Sequence, residues 1–222
     1  MIILKDVNKI FTQKKSDDFY ALKNINLTIN DGECIVFNGV SGSGKSTLLS
    51  IIGAIMKPTS GAVKVNGKNI VSLSDYHISH YRNVTIGFVT QSFHLFDELS
   101  VKENLLTPLV INDMSTSDID RYTEKAMQQA NILHKANQKV YSLSGGEKQR
   151  CMIARALVNN PSIILCDEPT ANLDKENTLI FINIMEKLKE LGKTIVIATH
   201  DPLFDQLNFI NKTIKIKDGV IE

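Results

Sequence analysis

The fold is decided by the stretch Gly39-Val40-Ser41-Gly42-Ser43-Gly44-Lys45-Ser46, which fills every fixed position of the G-x-x-x-x-G-K-S phosphate-loop pattern. Residues 34–37 before it are apolar and predict a short buried strand. Residues 47–55 after it carry apolar side chains at helical spacing. In such a strand–loop–helix unit the glycines let successive backbone N–H groups point at a polyphosphate, and the helix N-terminus adds its positive dipole end. The stretch therefore predicts a phosphate-binding site.

The last two residues of this loop suit a nucleotide and a metal ion. Lys45 can reach the β- and γ-phosphates, and the Ser46 hydroxyl can ligate Mg²⁺. The alternative interpretation is a glycine-rich turn that only happens to precede a helix. The strand and helix on either side favour phosphate binding.

A second feature is an apolar strand at residues 163–168 that ends in two adjacent acids, Asp167 and Glu168. In a parallel sheet the carboxyl ends of the strands line the ligand crevice. Asp167 is then placed to hold Mg²⁺ through water, and Glu168 to act as general base towards an attacking water. An acidic pair after a strand is weak evidence alone, but it becomes strong behind a phosphate loop.

A third feature is the helix start Leu143-Ser144-Gly145-Gly146-Glu147-Lys148-Gln149-Arg150. Ser144 can cap this helix, and the two glycines leave its first N–H groups open to an outside anion. One chain cannot easily aim this site and the phosphate loop at one nucleotide. We therefore expect two copies to face head to tail, each offering Ser144, Gly145 and Gly146 to the γ-phosphate held by the other. The alternative is an ordinary helix start that happens to contain two glycines.

Composition narrows the function classes. The chain of 222 residues has 43% hydrophobic residues and a formal net charge of +1, far from the basic character of a nucleic-acid binder, so we expect no DNA or RNA partner. Neither a signal peptide nor an apolar run of the about 18 residues that a membrane helix needs is evident. We expect a chain that is soluble by itself. Three cysteines without C-x-x-C spacing are expected to be buried thiols in a reducing cytosol: Cys34, Cys151 and Cys166.

The order of predicted elements indicates an α/β fold interrupted by a helical block. Residues 92–158 are predicted to form a small helical subdomain, with residues 1–91 and 159–222 as the core around it. Within the core, residues 62–65 and 70–73 predict a hairpin about Asn66-Gly67. Ser74 is predicted to begin a helix, and Ser100 with Glu103 predicts a capping box. Ser117 is predicted to begin a further helix.

Together these motifs resemble the nucleotide-binding subunit of an ATP-binding cassette (ABC) transporter over essentially the whole chain. The resemblance implies a P-loop NTPase (RecA-like) core with an antiparallel β subdomain and a small helical signature subdomain. It implies an ATPase that uses ATP and Mg²⁺ and dimerises on ATP binding. The phosphate loop corresponds to that family's Walker A motif, residues 143–149 to its signature and residues 163–168 to Walker B.

The resemblance also implies roles for residues outside these motifs. Gln91 matches the Q-loop glutamine, which touches Mg²⁺ and water. His200 matches the switch histidine that contacts the γ-phosphate. Asp174 ends the run Ala171-Asn172-Leu173-Asp174, which matches the D-loop. Many members have Ser at the position of Ala171, and Ala171 has no hydroxyl to make a contact there. The implied catalytic residues are Glu168, Lys45, His200 and Gln91. The implied Mg²⁺ residues are Ser46, Gln91 and Asp167. The implied ATP contacts are Phe11, residues 39–46, Thr47 and, from the partner copy, Ser144, Gly145, Gly146 and Asp174.

An aromatic side chain near the N-terminus is expected to stack on adenine in this family. Phe11 is the first choice and Tyr20 the second, although either could simply be core. Stacking on a π-face selects purines weakly, so use of GTP stays open. His77 and His80 lie one helical turn apart, a spacing that metal ligands use, but no further ligand is nearby, and a solvated helix face is favoured.

Residues 73–82, 86–89 and 93–96 resemble the branch that releases lipoproteins or exports macrolides (LolD/MacB). This implies a transmembrane permease with a large extracytoplasmic domain as partner, and a peripheral place on the cytoplasmic face of the cell membrane. The alternative is an FtsE-like regulatory ATPase that works with an FtsX-like partner, signals to cell-wall machinery and moves no substrate. A third hypothesis is a phosphotransferase that uses the same phosphate loop, although such an enzyme would not need residues 143–149.

Overall fold

The computed structural model describes residues 1–12 and 18–222. Within them the chain alternates strands and helices, in agreement with the predicted α/β class. The strands are β1 (Ile2–Phe11), β2 (Phe19–Ile29), β3 (Cys34–Asn38), β4 (Ser60–Val65), β5 (Lys68–Asn69), β6 (Ile86–Val89), β7 (Ile163–Asp167), β8 (Thr194–Thr199), β9 (Lys212–Lys217) and β10 (Val220–Ile221). The α-helices are α1 (Lys45–Ile52), α2 (Asp75–Thr85), α3 (Val101–Leu106), α4 (Thr116–Gln129), α5 (Gly145–Leu157) and α6 (Lys175–Glu190).

The described strands form two sheets. A six-stranded sheet has the order β10-β9-β3-β8-β7-β6, and its strands β9, β3, β8, β7 and β6 are parallel. A four-stranded antiparallel sheet has the order β2-β1-β4-β5. Parallel strands need crossover connections, and the helices between them supply those connections.

Each face of the six-stranded sheet belongs to a different hydrophobic cluster. Ile163 and Leu165 of β7 pack with the four-stranded sheet and α1, whereas Ile164 and Cys166 pack with α3, α4, α5 and α6. Side chains alternate between faces along a strand, so a strand buried on both sides is apolar throughout. The clusters hold the sheet rigidly between two layers. All three cysteines are free and buried, as predicted.

The topology brings the predicted motifs to one edge of the sheet. Strands β3, β7 and β8 are parallel neighbours whose carboxyl ends are Asn38, Asp167 and Thr199. The phosphate loop follows the first, Glu168 the second and His200 the third. Strand β6 is parallel to β7 and leads through Thr90 into Gln91 at the same edge. This is the position at which open α/β sheets bind ligands.

Several local predictions differ from the structure. The predicted strand at residues 70–73 is wrong: β5 is only Lys68–Asn69, and Ile70–Ser72 forms a 3₁₀ turn because the Asn69 side chain accepts from the N–H of Val71. Helix α4 is capped by Ser115 and not by Ser117. The capping box at Ser100 and the cap at Ser144 are confirmed, and Glu147 extends the Ser144 cap to a second capping box. Among the described residues, no helix has the length and apolar character needed to cross a membrane.

Candidate functional site

The phosphate loop requires glycine for two separate reasons. Gly42 and Gly44 have φ angles of 81° and 109°, in the left-handed region that other residues enter at a cost. Gly39 and Gly44 also pass close to other backbone. A Cβ at Gly39 would lie 2.2 Å from the carbonyl oxygen of Ile216, and one at Gly44 2.6 Å from that of Ala21. The loop is therefore wrapped against β9 and β2 in a shape that side chains would prevent.

Lys45 lies under this loop. Its side chain is 4% exposed, and Nζ donates to the carbonyl oxygens of Gly39 at 2.6 Å and Val40 at 3.0 Å. Nζ is also 3.5 Å from Oε1 of Glu168. A buried ammonium needs such partners. The positive charge is thus directed into the concave side of the loop, where a phosphate oxygen could replace a carbonyl oxygen.

Ser46 and Asp167 form a pair of oxygen ligands beside the loop. The Ser46 hydroxyl donates to Oδ1 of Asp167 at 2.8 Å. Burial raises the pKa of Asp167, the charge of Glu168 raises it further, and the Ser46 hydrogen bond and Lys45 oppose the rise. Hard divalent cations prefer such hydroxyl and carboxylate oxygens. The donor set fits Mg²⁺, and Gln91 adds an amide to the same cavity.

Glu168 connects three elements. It has a φ of 45°, and its N–H donates to the carbonyl oxygen of Ala198 on β8 at 2.8 Å. Its carboxylate is 14% exposed and lies 3.0 Å from Nδ1 of His200 through both oxygens, besides its contact with Lys45. The left-handed backbone directs the carboxylate back towards the phosphate loop. Strain of this kind is found at functional sites.

A cavity of about 250 Å³ opens between these groups. It is lined by Phe19, Ala21, Ser41, Gly42, Gly44, Lys45, Ser46, Thr47, Gln91 and Glu168. A second cavity, of about 330 Å³, adjoins it and is lined by Glu168, Thr170, Ala171, Thr199, His200, Asp201 and Pro202. Glu168 lines both, so its carboxylate has room on two sides for a phosphate and a water.

Sequence reasoning missed Phe19 as the aromatic residue of this cavity. Phe19 lines it, whereas Phe11 and Tyr20 do not. Phe11 is the register partner of Phe19 across β1 and β2, so the two rings share a face of the sheet, and Tyr20 is on the other face. Period-two alternation from Ala21, which also lines the cavity, would have found Phe19.

Gln91 lies on an exposed stretch after β6. The stretch is held by Arg155 of α5, whose guanidinium donates to the carbonyl oxygens of His94 at 2.6 Å and Phe93 at 3.1 Å. Burial lowers the pKa of Arg155. The loop that carries Gln91 is therefore attached to the helix that begins at Ser144.

The N-terminus of α5 is a separate place on the chain. Ser144 Oγ accepts from the N–H of Glu147 at 3.4 Å, and the Glu147 carboxylate accepts from the N–H of Ser144 at 2.8 Å. A Cβ at Gly145 would meet open space. Ser144, Gly145 and Gly146 are absent from the lining of the phosphate-loop cavity. A single copy does not bring these residues to its own nucleotide site.

Asp174 is at the N-cap of α6 and accepts from the N–H of Asn177 at 2.8 Å. This bond and the Asn177 side chain lower the pKa of Asp174. Asp174 is likewise exposed and outside both cavities. Asp174, like Ser144, therefore lies outside the chain's own phosphate-loop cavity.

The chain is similar to known proteins of one family. The sequence profile of the family described as "ABC transporter" matches residues 22–171. The uncharacterized ABC transporter ATP-binding protein MJ0796 of Methanocaldococcus jannaschii is 42% identical over 228 residues, which cover 100% of this chain and 95% of the relative. The lipoprotein-releasing system ATP-binding protein LolD of Geobacter metallireducens is 40% identical over 200 residues, covering 90% of this chain and 88% of the relative. A dimeric, post-hydrolysis structure of MJ0796 bound to ADP and Pi superposes with a TM-score of 0.90 at 40% identity, covering 100% of this chain and 97% of that one.

Proposed function

Because the chain belongs to the ABC transporter family and is an ATP-binding subunit with ATPase activity, we propose that it hydrolyses ATP in a head-to-tail homodimer and thereby drives the membrane partner of a LolD/MacB-type system. The observation that carries this proposal is the cluster of Lys45, Glu168 and His200 at the phosphate loop, with the Ser144 helix start lying apart from it. The phosphate-loop site of one copy holds the reacting groups. The second phosphate-binding surface, at Ser144, lies elsewhere on that copy.

Glu168 acts as general base. Its carboxylate takes a proton from a water whose oxygen attacks the γ-phosphorus, and the bond from that phosphorus to the bridging oxygen of ADP breaks. His200 Nδ1 is 3.0 Å from the same carboxylate, which orients the imidazole so that its other nitrogen is available to the terminal phosphate. Removal of a positioned base of this kind costs about 10²- to 10⁴-fold in rate.

Lys45 and the loop amides bind the phosphates. On ATP binding, phosphate oxygens replace the Gly39 and Val40 carbonyls as acceptors for Lys45 Nζ. Ser46, Asp167 and Gln91 would hold Mg²⁺, which when bound neutralises charge on the β- and γ-phosphates. The loop residues Gly39 to Thr47 supply the remaining phosphate contacts, and the aromatic face formed by Phe11 and Phe19 receives the adenine.

The partner copy completes the site. In this proposal residues 1–91 and 159–222 form the ATP-binding core, and residues 92–158 form the helical subdomain that carries Ser144. Ser144, Gly145 and Gly146 of one copy contact the γ-phosphate held by the other, and Asp174 reaches the same interface. The capped helix start supports this role, because its open N–H groups favour an anion. The dimeric structure of the similar protein MJ0796 gives further support.

The membrane partner is proposed from the relatives. The LolD relatives are ATP-binding proteins of lipoprotein-releasing systems. We propose a comparable transmembrane permease for this chain and a peripheral position on the cytoplasmic face of the membrane. An FtsX-like partner would instead make the chain a regulatory ATPase that moves no substrate.

The experiment that tests the catalytic proposal is Glu168→Gln. The variant is expected to bind ATP, to lose about 10²- to 10⁴-fold in turnover, and to elute as an ATP-dependent dimer in size-exclusion chromatography. Glu186→Gln, an exposed acid on α6, is the matched control and should leave turnover unchanged. Undiminished turnover in Glu168→Gln would remove this residue from the mechanism.

The dimer and the partner need separate tests. Full turnover by a strictly monomeric sample, indifferent to Ser144→Ala, would refute the head-to-tail site. For the partner, the chain is reconstituted in vesicles with a LolC/E- or MacB-type permease and with an FtsX-type protein from the same genome. We expect ATPase stimulation by the first, and stimulation by the second alone would establish the regulatory alternative.

A further inference from the structure

Asn177 on the first turn of α6 connects two motifs of the chain. Its backbone N–H donates to Oδ1 of Asp174 at 2.8 Å, and its side-chain Nδ2 is 3.0 Å from each Asp174 carboxylate oxygen. Its Oδ1 accepts from Nη1 of Arg150 on α5 at 2.8 Å. The donors of one amide thus hold Asp174, and its acceptor holds the helix that begins at Ser144.

The same side chain lies directly against Gly146. A Cβ at Gly146 would be 1.9 Å from Asn177 Oδ1 and 2.2 Å from its Cγ, so any side chain there must displace Asn177. At the neighbouring Gly145 a Cβ would meet open space. The requirement for glycine at position 146 therefore comes from Asn177 and not from the helix alone.

The two ends of this connection carry opposite charges. Asp174 and Arg150 form no direct ion pair within residues 1–12 and 18–222, so the Asn177 amide is the link between them. Hydrogen bonds to charged groups are the stronger class. A second link nearby, from Gln149 of α5 to the carbonyl oxygen of Pro169, attaches the same helix to the segment after Glu168.

We propose that Asn177 is a positioning residue that holds Asp174 and residues 144–146 in one arrangement, so that both meet the partner copy's nucleotide together. This inference rests on the proposed head-to-tail dimer. Asn177 is outside the cavity of its own phosphate loop and touches none of the groups there. Asn177 therefore acts on the partner's site. Dimer assembly and turnover depend on Asn177, whereas the nucleotide affinity of the monomer does not.

The test uses Asn177→Ala and Asn177→Asp in the full chain. The alanine variant removes the whole link. The aspartate variant has the same size and keeps an acceptor for Arg150, but it replaces the donors towards Asp174 by a second carboxylate oxygen and so repels that side chain. Asn183→Ala, an exposed asparagine on the same helix, is the matched control.

We expect both Asn177 variants to lose about tenfold in kcat, equivalent to about 1.4 kcal/mol of activation free energy, and to bind a fluorescent ATP analogue as monomers with unchanged Kd. In the Glu168→Gln background each should need about tenfold more protein for half-maximal ATP-dependent dimer. Asn183→Ala should match its parent throughout. Because Asn177→Asp keeps the acceptor for Arg150 and converts this hydrogen bond into an ion pair, its melting temperature should stay close to that of the wild type, which separates positioning from general destabilisation.

A double-mutant cycle with Gly146→Ala tests the contact itself. Gly146→Ala alone is expected to lower kcat at least as much as Asn177→Ala, because the new methyl displaces Asn177. In the Asn177→Ala background the added methyl should cost little more, so that the two changes are strongly non-additive. Fully additive losses would overturn the proposed contact.

The outcomes separate the two proposals. If Glu168→Gln dimerises with ATP and the Asn177 variants dimerise and turn over like their parents, the positioning role is overturned and the head-to-tail dimer stands. If Glu168→Gln itself stays monomeric at all ATP concentrations, the proposed dimer fails and this inference fails with it.

Discussion

Glu147 offers a test of how the N-terminus of α5 is built. Its carboxylate accepts from the N–H of Ser144 at 2.8 Å and lies 3.1 Å from Nζ of Lys135. Loss of a capping interaction costs about 1 kcal/mol, which for a chain of this size lowers the melting temperature by about 2–4 °C. We expect that fall in Glu147→Ala. Glu147→Gln keeps an acceptor but loses the charge, which roughly halves the strength of the bond, so its melting temperature should fall by about 1–2 °C.

The pH dependence of this effect has a definite sign. The hydrogen bond from the Ser144 N–H, with Lys135, lowers the pKa of Glu147 below its ordinary value of 4.5. The unfolded chain therefore binds this proton more readily than the folded chain. The stabilisation is complete above that ordinary value and is lost as the pH falls towards the lowered pKa. The difference in melting temperature between wild type and Glu147→Gln should accordingly narrow in acid.

The measurement is differential scanning fluorimetry of wild type, Glu147→Ala and Glu147→Gln, without nucleotide, in a series of buffers between neutral and acid pH. Glu186→Ala, at an exposed position of α6, serves as the control for loss of a surface acid. A wild-type melting temperature in Glu147→Ala would show that the box contributes nothing to stability. A gap between wild type and Glu147→Gln that stays constant with pH would refute the assignment of the lowered pKa to this carboxylate.

The remaining predictions use the loop, the aromatic face and the thiols. Gly39→Ala should lower the melting temperature, measured in the same assay, more than Gly42→Ala. The Cβ added at position 39 collides with the Ile216 carbonyl oxygen, whereas the Cβ added at position 42 meets no atom and costs only the left-handed strain of about 1–2 kcal/mol. Phe11→Ala and Phe19→Ala should each raise the KM for ATP about tenfold through lost stacking, while Tyr20→Ala, on the other face, should not; equal effects of all three would exclude this face. Burial raises the pKa of the Cys34 and Cys151 thiols to about 12 and also raises the pKa of Cys166. The native protein at pH 8 should therefore not react with a disulfide reagent, and all three thiols should react once the protein is unfolded.

Local sequence patterns determine much of this fold because they agree with its packing. The β7 sequence is apolar on both faces, and the structure places it between two clusters. The Ser100 and Ser144 capping boxes could be predicted because they need only residues three positions apart. The gathering of the phosphate loop, Glu168 and His200 at one edge follows from parallel topology once the strands are known.

Features that depend on distant contacts could not be predicted in the same way. The apolar character of Ile70 suggested a strand, but pairing with β4 ends after Lys68 and Asn69, and Ile70 is buried in a 3₁₀ turn. The contact of Asn177 with Gly146 joins residues that no local spacing relates. Phe19 required knowledge of which face of β2 borders the loop. Each of these is set by tertiary packing, which a local pattern does not contain.

The backbone of Glu168 has a consequence for how this chain can change. Its φ of 45° places a long acidic side chain in a conformation that glycine or asparagine would occupy with less strain, at a cost of about 1–3 kcal/mol. The protein thus gives up stability at the residue proposed as the general base, so engineered stabilisation of this scaffold is best sought elsewhere.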